Sequence, residues 1–351
     1  MPTGTRTVHG PASVGGPAPA ETTAEQTAAG SRPSLLLAVV LALLALAMAA
    51  SSILGPLVLG LLQYRTSPTT LNQLEGSDAA ALVVVAPVTL VAAWLAVRGH
   101  PAAPPLAAGV GVFAVYTYAQ VIIGQEYLRL PGNVERFFPL LLAVFILAEA
   151  AVVVGWRAMS GLLPSPGPRL RRACALALFL VALFLVLGLH LRTMLLAWQD
   201  PATMTEYASS PTPFWLVKLM DLGIVVPAAL VIGAGLWRDA PWAARPAYVL
   251  LTGYAGLGVS VTAMAVLMNV RHDPDASVGL AVGFGVFALT FVLLVARLYR
   301  PLVLSSRVPA KRGPKTSQRT SPGPAGATRP GANLEAKRRA ARIEQQPRSS
   351  R

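Results

Sequence analysis

The chain has 351 residues, 54% of them hydrophobic and 13% charged, with a mean hydropathy of +0.57. Soluble domains carry about 25% charged residues, so the composition excludes an ordinary soluble fold and leaves the membrane class. A net charge of +14 would suit a nucleic-acid binder, but the basic excess lies in the tail after Tyr299 and in alternate loops, so no nucleic-acid partner is expected.

Residues 1–33 are rich in Gly, Pro, Ala and Thr and read as a disordered N-terminal arm. Ser34 to Leu62 is the first apolar run, with Gly55-Pro56 bending or ending it. An alternative makes Leu35–Leu46 the apolar region of a signal peptide, cleaved after Ala47-Met48-Ala49. The long arm before the run and the apolar residues after it favour a retained span. Seven further runs follow, near 79–97, 106–124, 138–156, 173–198, 214–237, 248–270 and 277–299. Each is close to the ~20 residues that cross a bilayer. Backbone polar groups inside lipid must be satisfied within the segment, which makes these runs helices. The expected fold class is therefore all-α, a polytopic transmembrane bundle of eight spans over 34–299. Residues 300–351 read as a disordered basic tail, in which Asn333–Gln345 suits a short helix. Its Arg and Lys clusters either touch anionic lipid or are simply solvated.

Of the 29 Lys and Arg, 23 fall on the side of the two termini and 6 on the other. The positive-inside rule then places both termini in the cytoplasm, as an even number of spans requires. Arg outnumbers Lys, and Ala, Gly, Pro and Val abound, which points to a GC-rich bacterial genome and so to the bacterial cytoplasmic membrane.

With that orientation the polar residues inside spans fall at one level. Tyr116, Tyr118, Gln120 and Glu126 belong to the outer half of the third span or just beyond it. His190 and Arg192 lie in the outer part of the fifth. Lys218 and Asp221 lie in the outer third of the sixth, and Asp78 starts the second. Charges inside a span are costly and default to a functional or a paired structural role. One reading gathers Asp221, Lys218, Arg192, Tyr116, Tyr118, Gln120 and Asp78 around an outward-facing site, with Asp221 as its carboxylate and the two cations as partners. The other pairs Lys218 with Asp221 at i,i+3 and lets the cations reach toward the interface. Glu149 stands apart in the fourth span, with no basic residue within a turn; it is either a proton- or ion-carrying carboxylate or a neutral hydrogen-bonding one.

Cys174 is the only cysteine, and the four histidines are scattered. No metal and no other cofactor is expected. Gly253–Gly258 (GYAGLG) and Gly279–Gly285 (GLAVGFG) lie inside apolar runs and read as faces for close helix packing. His272, Asp273 and Asp275 read as a solvated turn. Pro227 should kink the sixth span. No HExxH or GxSxG motif is present, so an enzyme is not expected. No internal repeat is legible.

Gln73 with Gly76 and Asp78, Pro87, Arg98-Gly99, Tyr116-Thr117-Tyr118-Ala119, and Asp221-Leu222-Gly223 followed by Pro227 carry a resemblance. Over about 35–298 the chain resembles a family of uncharacterised bacterial multi-spanning membrane proteins. The resemblance implies a helical membrane fold and no mechanism. Function is thus expected to be transporter-like or ligand-binding around Asp221. The alternative is a structural or assembly protein in which the charges only hold helices together.

Overall fold

The structure, a computed structural model, describes residues 34–159 and 163–305; both arms lie outside them, apart from the first few residues after 299. Among these described residues eight helices are long and apolar enough to cross a membrane: α1 (Leu35–Leu54), α2 (Pro68–Val97), α3 (Ala103–Ile123), α4 (Val134–Ala158), α5 (Pro168–Gln199), α6 (Pro211–Trp237), α7 (Pro241–Val270) and α8 (Val278–Ser305). Among the described residues there is no strand. The chain is an all-α, multi-pass membrane protein.

The first run breaks where expected. Gly55 takes an extended conformation, its N–H closes the helix on Ser51 O, and residues up to Leu62 leave the helix. The second span differs from expectation, because α2 begins at Pro68 and not near Ala79. Ser67 caps it, and Pro68 occupies the first turn, where its missing N–H costs nothing. Hydropathy does not show this segment, since Asn72, Glu75 and Ser77 are polar. Glu75 and Ser77 are buried, and Asn72 half-buried, against α7 and the turn after it instead of lipid. Glu75 pairs with Arg271, Asn72 Nδ2 donates to Asp273 Oδ2 at 2.7 Å, and Ser77 and Ser260 hydroxyls lie 2.9 Å apart. The turn read as solvated is thus half tied down, with Thr69 also donating to Asp273 at 3.1 Å.

Three spans contain a π-helical segment: Ala81–Val85 in α2, Phe184–His190 in α5 and Asp221–Val225 in α6. In α2 and α6 a proline follows two residues later, Pro87 and Pro227. A proline cannot donate its i→i−4 bond, and a wider turn just before it accommodates the gap.

These two helices reveal a repeat that sequence inspection misses. Ala81–Val85 and Asp221–Val225 are 140 residues apart, and so are the following helices Ala86–Val97 and Val226–Trp237. The same spacing relates Arg98 to Arg238, Pro101 to Pro241, and Gly99 to Asp239, both left-handed at φ 62° and 58°. Each half contains four spans, so both run in the same sense, as for parallel repeats about an axis along the membrane normal. The cores follow the halves. Leu41, Leu44, Met48, Phe113, Leu141 and Val144 belong to one, and Leu178, Val181, Tyr248, Leu251, Phe291 and Leu298 to the other. α3 and α7 cross between the halves at Gly109, where a Cβ would lie 3.0 Å from Val249 O. Positions 109 and 249 are themselves 140 apart, which puts this contact on the pseudo-axis.

The glycine faces divide. Gly253, Gly256 and Gly258 pack closely, against Val112, Phe113 and Phe287 respectively. Gly279 and Gly283, read as a packing pair, meet no neighbouring helix: a Cβ at Gly283 would touch nothing within 4 Å.

Candidate functional site: a cavity in the second half

The loops on the face opposite the termini set the position of α6. Arg65 bonds Glu135 at 2.6 and 2.9 Å and Leu130 O at 2.9 Å, and its N–H donates to Gln125 Oε1 at 2.7 Å. The buried Glu126 then accepts from Thr212 N at 2.7 Å. A carboxylate on a free N–H in the first turn of a helix is favourable twice, as a cap and against the helix dipole. Ser210 Oγ in turn accepts from Ser67 N at 3.3 Å.

Below this anchorage α6 stands away from its neighbours and leaves a cavity of about 550 Å³. It begins at Thr69, Gln73, Glu206 and Asp275 on the far face and ends near mid-span at Val181, Val225, Tyr254 and Phe287. The wall mixes Leu, Val, Phe and Met side chains with polar ones, which ring the far-face mouth and recur deeper at the level of Asp221; apolar surface with placed polar groups is the usual make-up of a small-molecule site.

Asp221 is the centre of that polar level. It opens the π segment, is 7% exposed and ties three helices. Tyr116 of α3 donates to Oδ1, and Nε2 of His190, the last residue of the α5 π segment, lies 2.7 Å from Oδ2. Both carboxylate oxygens are therefore engaged. Thr193 bonds the carbonyls of Leu189 and His190 at 3.2 and 3.0 Å, where the π turn loosens the backbone ladder. Tyr254 of α7 does the same for α6, donating to Val225 O at 2.5 Å.

Lys218 does not pair with Asp221. It is 5% exposed, and its Nζ lies 3.2 Å from the centroid of the Phe214 ring, one turn nearer the far face. A lysine directed toward its helix N-terminus meets the i−4 side chain, and an aromatic face there attracts the ammonium. Among the described residues it forms no ion pair. Gln120 lies beside the Tyr116 hydroxyl, its amide nitrogen buried.

Asp221, Lys218, Tyr116 and Gln120 thus share the cavity, and the other candidates do not. Asp78 is buried on the far side of α2, where it accepts from Ser52 at 3.3 Å and Tyr64 at 3.0 Å and holds α1 to α2. Tyr118 is buried in the first half's core. Arg192 is exposed, two residues past His190 on another face of α5. Glu149 is exposed on the outer surface of α4, in a stripe with Leu142, Ile146, Val153 and Trp156. Sequence reasoning gave depth in the membrane but not direction around each helix. It placed His190 at the right depth without choosing it, and it missed Tyr254 and the capping role of Glu126. The signal for His190 was a titratable group at the level of Asp221 on the neighbouring span.

Comparison of the chain with protein-family models, with curated proteins and with solved structures finds no match. The family resemblance gains no support from them, and its coarser content, a multi-pass helical membrane protein, rests on the eight spans.

Proposed function

We propose that this is a ligand-binding, transporter-like membrane protein whose site is the cavity at Asp221. The observation that carries the reading is the polar level formed by Asp221, His190, Tyr116 and Lys218, within a cavity of about 550 Å³. Volumes of 300–1,000 Å³ are usual for sites that bury one small ligand. The parallel repeat supports it in kind, since related halves recur among transporters. The charge asymmetry supports a cytoplasmic location for both termini, and hence a cavity mouth on the outside of a bacterial cytoplasmic membrane. The proposed role is binding, with no catalytic step.

A specific observation favours a second reading. Asp221 joins α3, α5 and α6, as Asp78 joins α1 to α2, and this is what a purely structural membrane protein would need. Thiol access separates the two. In a Cys174→Ser background, Thr117→Cys places the sole thiol on the cavity wall. Intact cells are treated with a membrane-impermeant thiol reagent. Rapid labelling that a solute slows is the result expected of a binding site. A correctly inserted variant that is never labelled from outside leaves the structural reading standing.

A further inference from the structure

The cavity has one missing wall. Toward the terminal face α5 and α8 share a core, with Cys174, Ala175 and Leu178 on one helix and Phe291, Leu294 and Leu298 on the other. The contact between Phe184 and Phe284, centroids 5.9 Å apart, is the last aromatic link between them. Beyond it no α8 residue from 278 to 287 is buried, and from 184 to 196 of α5 only His190 is. Leu185, Leu189 and Thr193 of α5 and Leu280 and Phe284 of α8 nevertheless line the cavity. An apolar slot therefore runs from the cavity sideways into the hydrocarbon layer, flanked by Gly283, whose Cβ would meet nothing within 4 Å.

What passes through such a slot must be soluble in lipid, and what stops at its polar level must answer Lys218. Asp221 has both oxygens occupied by Tyr116 and His190. Lys218 is then the cation on the wall that has an aromatic face beside it and no carboxylate within ion-pair distance among the described residues. Its depth fits a headgroup. The 27 residues of α6 span about 40 Å, close to a bilayer with its polar layers, whose hydrocarbon core is about 30 Å. Lys218 lies seven residues in, roughly 10 Å from the helix start, just inside the far edge of that core.

We infer that the cavity takes an anionic amphiphile, a carboxylate- or phosphate-headed lipid-like molecule, which slides in between α5 and α8 with its anionic group on Lys218 and its chain along the Leu, Val and Phe wall. This rests on the binding-site reading above and names its ligand class.

The test uses the purified full chain in neutral-lipid nanodiscs with a dansyl-tagged undecanoate as probe. Saturable binding is expected, weakened about tenfold or more in Lys218→Gln and largely retained in Lys218→Arg, which keeps the charge. The methyl ester of the probe should bind at least tenfold more weakly than the acid. Gly283→Trp, placed where space is open, should slow or abolish probe binding while small thiol reagents still reach Thr117→Cys. Competition by anionic phospholipid vesicles but not by acetate or inorganic phosphate supports an amphiphile. Equal competition by acetate or inorganic phosphate makes the site one for a small soluble anion and overturns the inference. So does saturable binding that ignores both Lys218→Gln and Gly283→Trp. If Thr117→Cys is reached from outside and no probe binds, the inference fails and the binding-site reading survives. If Thr117→Cys is never reached and no probe binds, both fall.

Discussion

Where α2 meets α7, Gly76 lets two backbones touch: a Cβ there would lie 2.5 Å from Met264 Cα. The matched place in the second half, 140 residues on, has the sizes reversed. Leu216 of α6 stands against Gly124 at the end of α3, its Cδ2 3.4 Å from where a Cβ would be. The side chain that could have closed the gap acts instead as a spacer, and it lines the cavity. The outer helices repeat the contrast. α1 and α4 each keep a buried face along their length, from Leu37 to Ser52 and from Leu141 to Gly155, whereas α5 and α8 part beyond Phe184. One backbone plan thus yields a sealed half and an open half, and the difference lies in a few side-chain volumes. The buried carboxylates follow suit: Asp78 is enclosed by Ser52 and Tyr64, while Asp221 borders free space.

The contrast can be attacked where it is strongest. Gly76→Leu copies the second half onto the first, and forcing a side chain against backbone should cost about 3 kcal/mol or more. Thermal unfolding in detergent should show a large loss of stability or no folded protein. A well-folded Gly76→Leu would mean that the α2–α7 contact does not seal the first half.

Next comes the pair of carboxylates. Asp78→Ala strands two hydroxyls in a closed site and should cost roughly 2 kcal/mol. Asp221→Ala leaves its partners facing a cavity that can admit water, so its cost should be clearly smaller in the same melt. Equal costs would favour the structural reading. A smaller effect, about 1 kcal/mol, is expected for Tyr254→Phe, which removes only the bond to Val225 O. Glu149→Gln should change stability least, within about 0.5 kcal/mol, since the side chain is exposed on the outer face of α4. A large loss there would show that the α4 surface is covered by another subunit.

The eight spans were legible because hydropathy reports contact with lipid directly. The polar start of α2 was not, because Asn72, Glu75 and Ser77 are shielded by α7, and shielding depends on a partner helix that local sequence does not name. The repeat was hidden because matched positions carry unlike residues: Gly76 and Leu216, Asp78 and Lys218, Ala81 and Asp221. What persists is backbone punctuation, the prolines at 87 and 227 and at 101 and 241, and that is sparse. Asp221, Lys218, Tyr116 and Gln120 were found by depth alone. Arg192, Tyr118 and Asp78 share that depth and face elsewhere, and direction around a helix is what the π segments in α2, α5 and α6 make hard to count from sequence.

Those segments have a further consequence. A π turn holds about one residue more than an α turn, so α6 carries a spare residue between Lys218 and Pro227. Deleting Leu222 should let that turn close to an ordinary α turn, with Lys218 and Asp221 on one side and Pro227 to Trp237 on the other keeping their seats. The same deletion at Leu230, in the regular turns beyond, has no spare residue to give up and would turn one end of the helix by about 100° against the other. The helix is in this sense a shaft with a coupling in it: its two ends can keep their separate seats while the angle between them is set at a single turn.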